Sequence, residues 1–303
     1  MTKYKRIIEE DENGNQKVID VIKSTETIKV IPKKDPKQLA IANQKNELKT
    51  HCKNLGGYVH IRYIKNELLF NELNLKLPTI ARLVYLATFI DYNNREENVL
   101  IKHGQHQKIE YLTRKDLGYL LNLTDTPLRD FLKEAEANNL IYHVNKKYYL
   151  STEYFSKGEC HFNKNEYARI FIDTTRLLYQ NSKPTQHRQL AYIYQLIPYL
   201  HYDSNVLCKN PEETNIKLLQ RLTLKEICKI LGLGSSSKSL DNLKKKLLSF
   251  HIEKDGAEYY LFTRIKLEKH TGQTDFFVVN PNVIWKGSDL DLKKEIISKL
   301  LIF

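Results

Sequence analysis

The chain has 303 residues, 41% hydrophobic and 28% charged, which leaves room for two domains, each with its own core. No run of 18 apolar residues occurs and the N-terminus lacks the apolar stretch of a signal peptide, so we expect a cytoplasmic protein with no membrane span. The net charge of +12 favours a polyanionic partner without identifying it. The four cysteines have no Cys-x-x-Cys spacing and are expected to be free thiols, with Cys228 on the buried side of a helix.

Residues 1–50 predict an N-terminal hairpin followed by a basic linker. Tyr4 to Glu9 and Gln16 to Ile22 have the composition of strands, and Asn13-Gly14 between them is typical of a tight hairpin turn. The polar stretch at 32–37, with two prolines and three lysines, is typical of a linker.

The rest of the chain carries an internal repeat with offsets of 107 to 111 residues. The matched blocks are Leu83-x-Tyr85-Leu86 and Asn98-Val99-Leu100 with Leu190-x-Tyr192-Ile193 and Asn205-Val206-Leu207, Leu112-Thr113-x-Lys115-Asp116-Leu117 with Leu222-Thr223-x-Lys225-Glu226-Ile227, and Tyr148-Tyr149-Leu150 with Tyr259-Tyr260-Leu261. Self-similarity in a fixed order indicates that each copy is one structural unit. We therefore predict one domain at 57–160 and a second at 161–287.

The first copy has the signals of three helices and a hairpin. Thr79 to Tyr92 forms an amphipathic helix, and Thr113-x-x-Asp116 is a capping box that opens the next one. A further helix runs from about Thr126 to Asn138, and two strands follow, Leu140 to Val144 and Tyr148 to Glu153. Helix, turn, helix and hairpin in this order predict a winged helix-turn-helix.

The second copy repeats these signals, and adds a strand and a tail. Its predicted elements are the leading helix His187 to Tyr202, the capping box Thr223-x-x-Glu226, the helix Ser236 to Ser249, the strands Phe250 to Glu253 and Glu258 to Leu267, the extra strand Phe276 to Val279, and an amphipathic C-terminal helix at 288–303. The predicted fold class is mainly α, of the α+β type, with two tandem winged helix-turn-helix domains after an N-terminal hairpin or arm.

The second helix of such a motif presents its exposed face to the major groove of DNA. Residues 234–249 hold four lysines against Asp241, a net charge of +3, whereas residues 124–139 hold two cations against four acids, a net charge of −2. Because phosphates attract cations and base edges bind Asn, Arg, Lys or Ser, the second copy suits DNA better than the first. The predicted DNA-binding residues are Ser237, Lys238, Asn242, Lys244, Lys245, Lys246 and Lys254 in the second copy, and Thr126, Arg129, Lys133, Lys146 and Lys147 in the first. Two other interpretations of both helices are solvated faces of structural helices and protein-interaction surfaces.

The glycines before the basic helix superficially match a phosphate-binding loop, as Gly232-x-Gly234-x-x-x-Lys238-Ser239. The match fails because Ser237 stands where the glycine before the lysine belongs, and because no strand precedes the loop. A tight turn explains these glycines better. No nucleophile, acid–base or metal-ligand arrangement is recognisable either, so we predict no enzymatic activity, catalytic residue, metal or cofactor.

Two tandem units of about 110 residues, each with Leu-Thr-x-Lys-acid at Leu112 or Leu222 and then a hydrophobic helix and hairpin, resemble the replication initiators of plasmids and phages. The hairpin around Asn13-Gly14 and the ending Val279-Asn280-Pro281-Asn282-Val283-Ile284-Trp285-Lys286-Gly287 are also similar to the RepL type. The resemblance implies that both halves read DNA, and that the protein acts as a monomer or a homodimer. The acidic helix of the first copy departs from this pattern.

The sequence therefore predicts specific binding to double-stranded DNA by an initiator of replication. A phage transcriptional regulator is the alternative with the same chemistry. A winged-helix interaction module, such as an inhibitor of a host machine, is the alternative from another class. Double-stranded DNA is the predicted partner, and host replication proteins remain an open second one.

Overall fold

A computed structural model of the chain describes residues 4–10, 16–24, 27–32, 36–64, 67–68, 73, 75–92, 96–104, 108–158, 162, 166–254, 257–265, 276–287 and 290–300. It is a mixed α+β protein of helices and small antiparallel sheets, as predicted at that level. Residues 1–50 and 51–303 form two compact units. No helix in the described ranges has both the length and the apolar character needed to cross a membrane.

The first unit contains an antiparallel sheet of β1 (Tyr4–Glu10), β2 (Gln16–Ser24) and β3 (Thr27–Pro32), in chain order. The predicted strands of the hairpin are confirmed, whereas the turn at Asn13-Gly14 lies outside the described residues. The linker prediction is wrong on either side of residues 33–35, because the chain forms β3 before them and α1 (Pro36–Asn54) after them. Pro36 suits the first turn of a helix, where its missing N–H has no partner to lose.

We call the described residues of 58–158 half one and those of 167–287 half two. Half one contains β4 (Tyr58–Ile64), β5 (Glu67–Leu68), α2 (Leu77–Ala87), β6 (Ile101–His103), β7 (Ile109–Tyr111), α3 (Arg114–Leu121), α4 (Asp125–Ala137), β8 (Ile141–Val144), β9 (Lys147–Leu150) and β10 (Phe155–Ser156). Half two contains β11 (Tyr167–Phe171), α5 (Ile172–Gln180), α6 (His187–Gln195), α7 (Leu224–Ile230), α8 (Ser237–Ser249), β12 (His251–Lys254), β13 (Ala257–Tyr260), β14 (Phe262–Ile265), β15 (Phe276–Val279) and β16 (Ile284–Trp285), and α9 (Leu290–Leu300) follows.

The helices and hairpins predicted in both halves are present, but the ends of the leading helices differ from the prediction and each half has added elements. The leading helices end earlier than predicted: α2 stops at Ala87, and α6 stops at Gln195 before a 3-10 turn that contains Pro198. Both capping boxes are confirmed, since the Thr113 and Thr223 hydroxyls each accept from the backbone N of the acid three residues later at 3.3 Å. The first and last strands of each half, and α5, were not predicted.

Those unpredicted strands form a sheet with internal two-fold symmetry, in the order β10-β4-β11-β16, with β5 pairing β4 outside this path. Antiparallel β4 and β11 lie in the middle, with His60 opposite Arg169, and each half adds its own closing strand outside. Ser156 lies opposite His60 in half one, and Trp285 lies opposite Arg169 in half two. Exchanging the halves about the His60–Arg169 pair therefore maps the register of β10-β4-β11-β16 onto itself.

The symmetry extends to an asparagine in each half. Asn98 and Asn205 are buried and adopt left-handed backbone conformations, with φ of 54° and 51°. Their side-chain Nδ2 atoms donate to matched carbonyls of the closing strands: Asn98 to Phe155 at 2.8 Å, and Asn205 to Ile284 at 2.7 Å. Each asparagine thus ties the segment after its leading helix to the last strand of the same half.

One hydrophobic core joins the two halves. The leading helices α2 and α6 pack against each other, with Leu83 and Leu86 in the same buried cluster as Leu190 and Ile193. The helices α4 and α8 contribute to this cluster through Phe131 and Leu243, among others. Burial of these side chains at about 1.5–3 kcal/mol each makes the joint core the main stabilising feature of the second unit.

The hairpins differ between the halves. In half one, Leu100 N donates to Tyr148 O at 2.8 Å, so β9 lies beside residues 98–100. In half two, Leu207 N donates to Phe277 O at 2.9 Å, so β15 is the strand beside residues 205–207. The strands β12, β13 and β14 come before it in the chain. Tyr148 and Leu150 bond to residues 98–100 in half one, and Phe277 and Val279 bond to residues 205–207 in half two, so these two pairs correspond. The sequence match of Tyr148-Tyr149-Leu150 to Tyr259-Tyr260-Leu261 is therefore wrong for this pairing.

Candidate nucleic-acid interface

The most basic exposed surface predicted from the sequence lies on α8. Gly232 (φ 64°) provides the left-handed residue of the turn before it, a conformation that glycine adopts without a Cβ clash. Ser236 then caps the helix, because its Oγ accepts from Ser239 N at 3.2 Å. Leu243 and Leu247 are buried, which fixes the opposite face toward solvent.

That outer face presents lysines without acidic partners. Ser237, Lys238, Asn242, Lys245 and Lys246 are exposed, and Lys244 is half-buried. Across the part of the chain that the structure describes, none of these four lysines forms an ion pair, and the helix carries only one acid, Asp241. The lysines are therefore free to neutralise phosphates, and Asn242 offers both a donor and an acceptor beside them.

The matching helix of half one has a different surface. Thr126, Arg129 and Lys133 are exposed on α4, as predicted, but Arg129 Nε lies 3.8 Å from the Asp130 carboxylate. Asp125 pairs with Arg114 of α3 at 2.8 Å.

Another acid of α4 holds the leading helix. Glu134 accepts from Lys76 N and from Thr79 Oγ1, both at 2.7 Å, and so binds the first turn of α2 through one backbone and one side-chain donor. Two of the four acids of α4 therefore contact other elements of half one.

Alignment of the N-caps Thr124 and Ser236 puts α4 and α8 in register, since both helices have 13 residues. In this register both buried positions of α8, Leu243 and Leu247, coincide with buried positions of α4, and the exposed residues differ. The matched exposed pairs are Thr126 with Lys238, Asp130 with Asn242, and Lys133 with Lys245. Half one thus has one of the three predicted base-reading side chains of half two, a lysine at the last position.

The hairpin of half one turns through Asn145 and Lys146, both left-handed with φ of 50° and 63°. Lys146 is exposed at this tip, as its predicted role requires. Lys147 is not free: its Nζ pairs with Glu96 and lies 4.1 Å from the centre of the Tyr111 ring. The hydrogen bond from Lys147 holds the pKa of Glu96 below its ordinary value. In half two, Lys254 ends β12, and its side chain is outside the described residues.

A group of potential metal ligands lies on the hairpin of half two. His251, Glu253 and Glu258 are exposed side chains on β12 and β13 whose ligand atoms all lie within 4.8 Å of one another. Glu253 and Glu258 face each other across the strands, and Tyr260 Oη donates to Glu258 at 2.7 Å. These three side chains could hold a divalent cation, which would offset the repulsion of the paired carboxylates.

A lysine that the sequence analysis missed follows the closing strand of each half: Lys157, which is half-buried, and Lys286, which is buried. Lys157 Nζ donates to Ile90 O at 2.6 Å, beside a cavity of about 370 Å³, and burial lowers its pKa to about 8. Lys286 Nζ lies 3.4 Å from Pro198 O and over the Tyr63 and Tyr202 rings, and burial lowers its pKa to about 7. The signal was the repeated Lys-Gly after each closing strand, at 157–158 and 286–287. Both lysines bind the carbonyls that follow a leading helix, so their role here is to hold that helix.

The cysteines offer no reactive thiol among the described residues. Cys52, Cys208 and Cys228 are buried and unpaired, as predicted for Cys228, while Cys160 lies outside the described residues. Burial raises the pKa of Cys208 to about 12, which keeps it protonated.

No protein-family model, curated protein or solved structure matches this chain.

Proposed function

We propose that the protein binds double-stranded DNA sequence-specifically through two tandem winged helix-turn-helix domains, at 57–160 and 161–287. The observation that carries this proposal is the outer face of α8, with four unpaired lysines around Asn242. The order of α7, the Gly232 turn, α8 and the β12–β13 hairpin supports it, because this order matches the DNA-reading motif.

In this mechanism the lysines attract the duplex and the outermost residues of α8 read the bases. Lys244 and Lys246 flank the exposed face and suit phosphate contacts. Lys238, Asn242 and Lys245 are spaced to reach base edges, where Lys suits guanine and Asn suits adenine. Lys146, at the hairpin tip of half one, contacts the DNA backbone beside the groove, and Lys254, at the end of β12, is the corresponding predicted contact of half two.

The resemblance to plasmid and phage initiators supports replication initiation as the biological role. Initiation requires several copies of the site at an origin, whereas a transcriptional regulator requires a site at a promoter. Counting the sites near the gene of this protein distinguishes the two roles.

Half one has features of a second candidate function, the binding of a protein. Its α4 has a net charge of −2, and α3 and the β8–β9 hairpin expose Tyr119, Tyr142 and Val144, the first of them 87% exposed. Acidic and aromatic side chains of this kind suit a basic protein surface better than a phosphate backbone.

The test selects bound duplexes from a random-sequence pool and identifies the sequences that are enriched. The affinity for the enriched duplex is then measured at several salt concentrations. We expect log affinity to fall linearly with log salt, because lysine–phosphate contacts release counterions. Lys244→Gln with Lys246→Gln should reduce the slope by about 1–2, whereas the matched removal of two exposed charges elsewhere, Lys183→Gln with Lys217→Gln, should leave it unchanged. Affinity that does not change with salt, or a pool that enriches no sequence, would contradict the proposal.

A further inference from the structure

We propose that the cavity at the end of α2 is a binding site for a mononucleotide, whose phosphate contacts Lys157 and Arg176 while its base stacks on Tyr92. This inference goes beyond the proposed function and does not depend on DNA binding.

The cavity has the size and the walls of a small-molecule site. Its volume is about 370 Å³, and it is lined by residues 88–92 after α2, by residues 101–103 of β6, and by Lys157 and Arg176. Small-molecule sites measure roughly 300–1,000 Å³, so this cavity has room for one nucleotide but not for a stretch of nucleic acid. Phe89, Ile90 and Ile101 give it apolar surface beside the cations.

The charge of the lining suits a phosphate group. Its described cations are Lys102, Lys157 and Arg176. Asp91 is its one described acid, which leaves a net charge of +2 (three minus one, with histidine neutral). A phosphate monoester carries about −1.5 to −2 at pH 7. Because Lys102 also pairs with two acids outside the lining, Lys157 and Arg176 are the cations that remain for a ligand.

These two side chains are held in place and keep donors available. Arg176 Nε donates to Thr88 Oγ1 at 3.1 Å, and its Nη2 donates to Thr88 O at 2.8 Å. This fixes the guanidinium and leaves Nη1 without a hydrogen bond to the residues that the structure describes. Lys157 Nζ donates to Ile90 O, which uses one of the three N–H groups of an ammonium.

The same two cations lie close enough to repel each other. Burial, and next the charge of Arg176, lower the pKa of Lys157 to about 8, and Asp91 offsets this only in part. Neither cation forms an ion pair within the described ranges of the chain. A phosphate bound between them would supply the missing counter-charge.

The corresponding place in half two is closed by side chains. Asp91 N and His201 N donate to equivalent carbonyls, at 3.0 and 2.9 Å, so the next residues, Tyr92 and Tyr202, are equivalent too. Tyr202 Oη lies 3.2 Å from the hydroxyl of a second tyrosine, Tyr63.

This tyrosine pair covers the lysine of half two. The centres of the Tyr202 and Tyr63 rings lie 4.7 and 4.4 Å from Lys286 Nζ, and Lys286 is only 6% exposed. In half one, Tyr92 is 67% exposed, and no aromatic ring among the described residues lies over Lys157. The fold can therefore fill this place with its own side chains, and half one leaves it open.

Tyr92 is the aromatic side chain that suits a base. It lines the cavity, and a Cβ added to Gly158 would lie 4.0 Å from its Cε2, so the ring stands beside the Lys157–Gly158 pair. Bases stack on exposed aromatic rings of this kind, since every base has a π-face. A phosphate on Lys157 and a base on Tyr92 are thus adjacent, as they are in a mononucleotide.

The experiment is isothermal titration calorimetry of the full chain with AMP and CMP, and with adenosine and inorganic phosphate as the two partial ligands. We expect the nucleotides to bind at least about tenfold more tightly than either partial ligand, because only they make both the charged contact and the stacking contact. No nucleotide binding at millimolar concentration, or a partial ligand that binds as tightly as AMP, would overturn the inference.

Two variants with matched controls locate the site. Lys157→Met should weaken AMP binding at least about tenfold, since it removes a charge-assisted hydrogen bond to the phosphate. Lys286→Met, the corresponding change in half two, should leave AMP binding unchanged. Circular dichroism first shows which variants are folded. Equal losses of AMP affinity in both would overturn the assignment of the phosphate to Lys157.

The second variant lies at an exposed position and so does not disturb the core. Tyr92→Ala should weaken AMP binding at least about fivefold and leave the binding of inorganic phosphate unchanged. Its control is Tyr119→Ala, at a tyrosine that is 87% exposed, which should change neither. AMP affinity that Tyr92→Ala does not change would overturn the role of this ring.

Photo-crosslinking gives an independent readout. The parent chain is irradiated with 8-azidoadenosine monophosphate, and the modified peptides are identified by mass spectrometry. We expect crosslinks at residues 88–92 and 101–103, which line the cavity. Crosslinks confined to α8 would mean that the nucleotide binds the lysines proposed for DNA, and would overturn the inference. Nucleotide binding at the cavity without any duplex binding would instead remove the proposed function and leave this site standing.

Discussion

The two halves of the second unit share an interior and differ in the exposed faces of α4 and α8. Asn98 and Asn205 hold equivalent places, and so do the buried pairs Phe131 and Ala135 of α4 and Leu243 and Leu247 of α8. The segments that contain these two helices, residues 124–139 and 234–249, carry net charges of −2 and +3. Burial constrains shape and polarity far more tightly than solvent does, so an internal repeat preserves its core while its surfaces take separate roles.

The difference in charge has structural causes in half one. Glu134 of α4 binds the first turn of α2, and Asp125 binds Arg114 of α3, so two acids of α4 stabilise half one. In half two, the capping acid Glu226 of α7 pairs with Lys209 and leaves α8 out of this network. That pair and the Thr223 cap outweigh the cost of burial and hold the pKa of Glu226 at about 2. Charged residues of α4 thus form stabilising contacts within half one, whereas the lysines of α8 form no ion pair with the residues that the structure describes.

The largest expected effect is a loss of DNA affinity in half two. Lys238→Ala, Asn242→Ala and Lys245→Ala together should weaken specific binding at least a hundredfold, since each good base contact contributes about 1–3 kcal/mol. The matched triple change in half one, Thr126→Ala, Arg129→Ala and Lys133→Ala, should cost less than tenfold. Titration of the enriched duplex measures both, after circular dichroism has shown that the variants are folded. Equal losses would mean that the charge difference does not decide which half reads DNA.

The next expected effect compares the two asparagines. Asn205→Ala removes donors to Val279 O and Ile284 O and puts alanine in a left-handed conformation, so it should lower the free energy of unfolding by about 3–4 kcal/mol. Asn98→Ala loses one such bond and should cost about 2–3 kcal/mol. Urea unfolding gives both values.

Glycine at these positions is the control, because it accepts the left-handed backbone and loses only the hydrogen bonds. The glycine variants should recover about 1 kcal/mol of what the alanine variants lose. If glycine and alanine cost the same, the backbone conformation does not contribute, and the symmetry of these residues rests on hydrogen bonding alone.

Local signals in the sequence predicted α4, α8 and the elements around them. The capping boxes at Thr113 and Thr223 and the helical spacing of Leu243 and Leu247 are encoded within one or two turns of chain, so they could be read without tertiary information. The exposed face of α8 follows from the same spacing. Its contact with DNA stays a prediction.

What the sequence did not reveal depends on distant pairing. Val59, Ile61 and Tyr63 alternate as a strand should, but nothing local indicates that their partner begins at Tyr167. α1 has few apolar residues and no helical stripe, so its periodicity gave no signal. The acids of α4 were counted correctly, whereas their partners, such as Thr79, come from other elements. The two-fold symmetry could not be predicted from the sequence either, because it depends on the register between strands that are distant in the chain.

A smaller effect compares Lys286 and Lys157 at different pH. Their folded pKa values, about 7 for Lys286 and about 8 for Lys157, lie below the ordinary lysine value of 10.5. The unfolded chain therefore binds more protons than the folded one above these values, and each lysine adds stability as pH rises, which is lost as pH falls through the folded pKa. Lys286→Met and Lys157→Met remove this contribution.

From pH 7 to pH 9, the free energy of unfolding of Lys286→Met should fall by about 2 kcal/mol relative to the parent, and that of Lys157→Met by about 1 kcal/mol. The parent is the reference at each pH, so that contributions of other titrating groups cancel. Differences that do not vary with pH would show that these lysines stay charged when folded, held by the carbonyls that they contact.

The smallest expected effect would convert half one toward half two. Thr126→Lys with Asp130→Asn gives α4 the residues of α8 at two matched positions and releases Arg129 from its contact with Asp130. The gain of one positive charge and the loss of one negative charge should raise DNA affinity about tenfold, or roughly 1.4 kcal/mol, and steepen its salt dependence. The control is Lys115→Gln with Glu136→Gln, which leaves the net charge of half one unchanged at exposed positions, and it should have little effect. If the converted helix gains no affinity while the protein remains folded, α4 does not face the duplex, and the inequality of the halves is one of position as well as of charge.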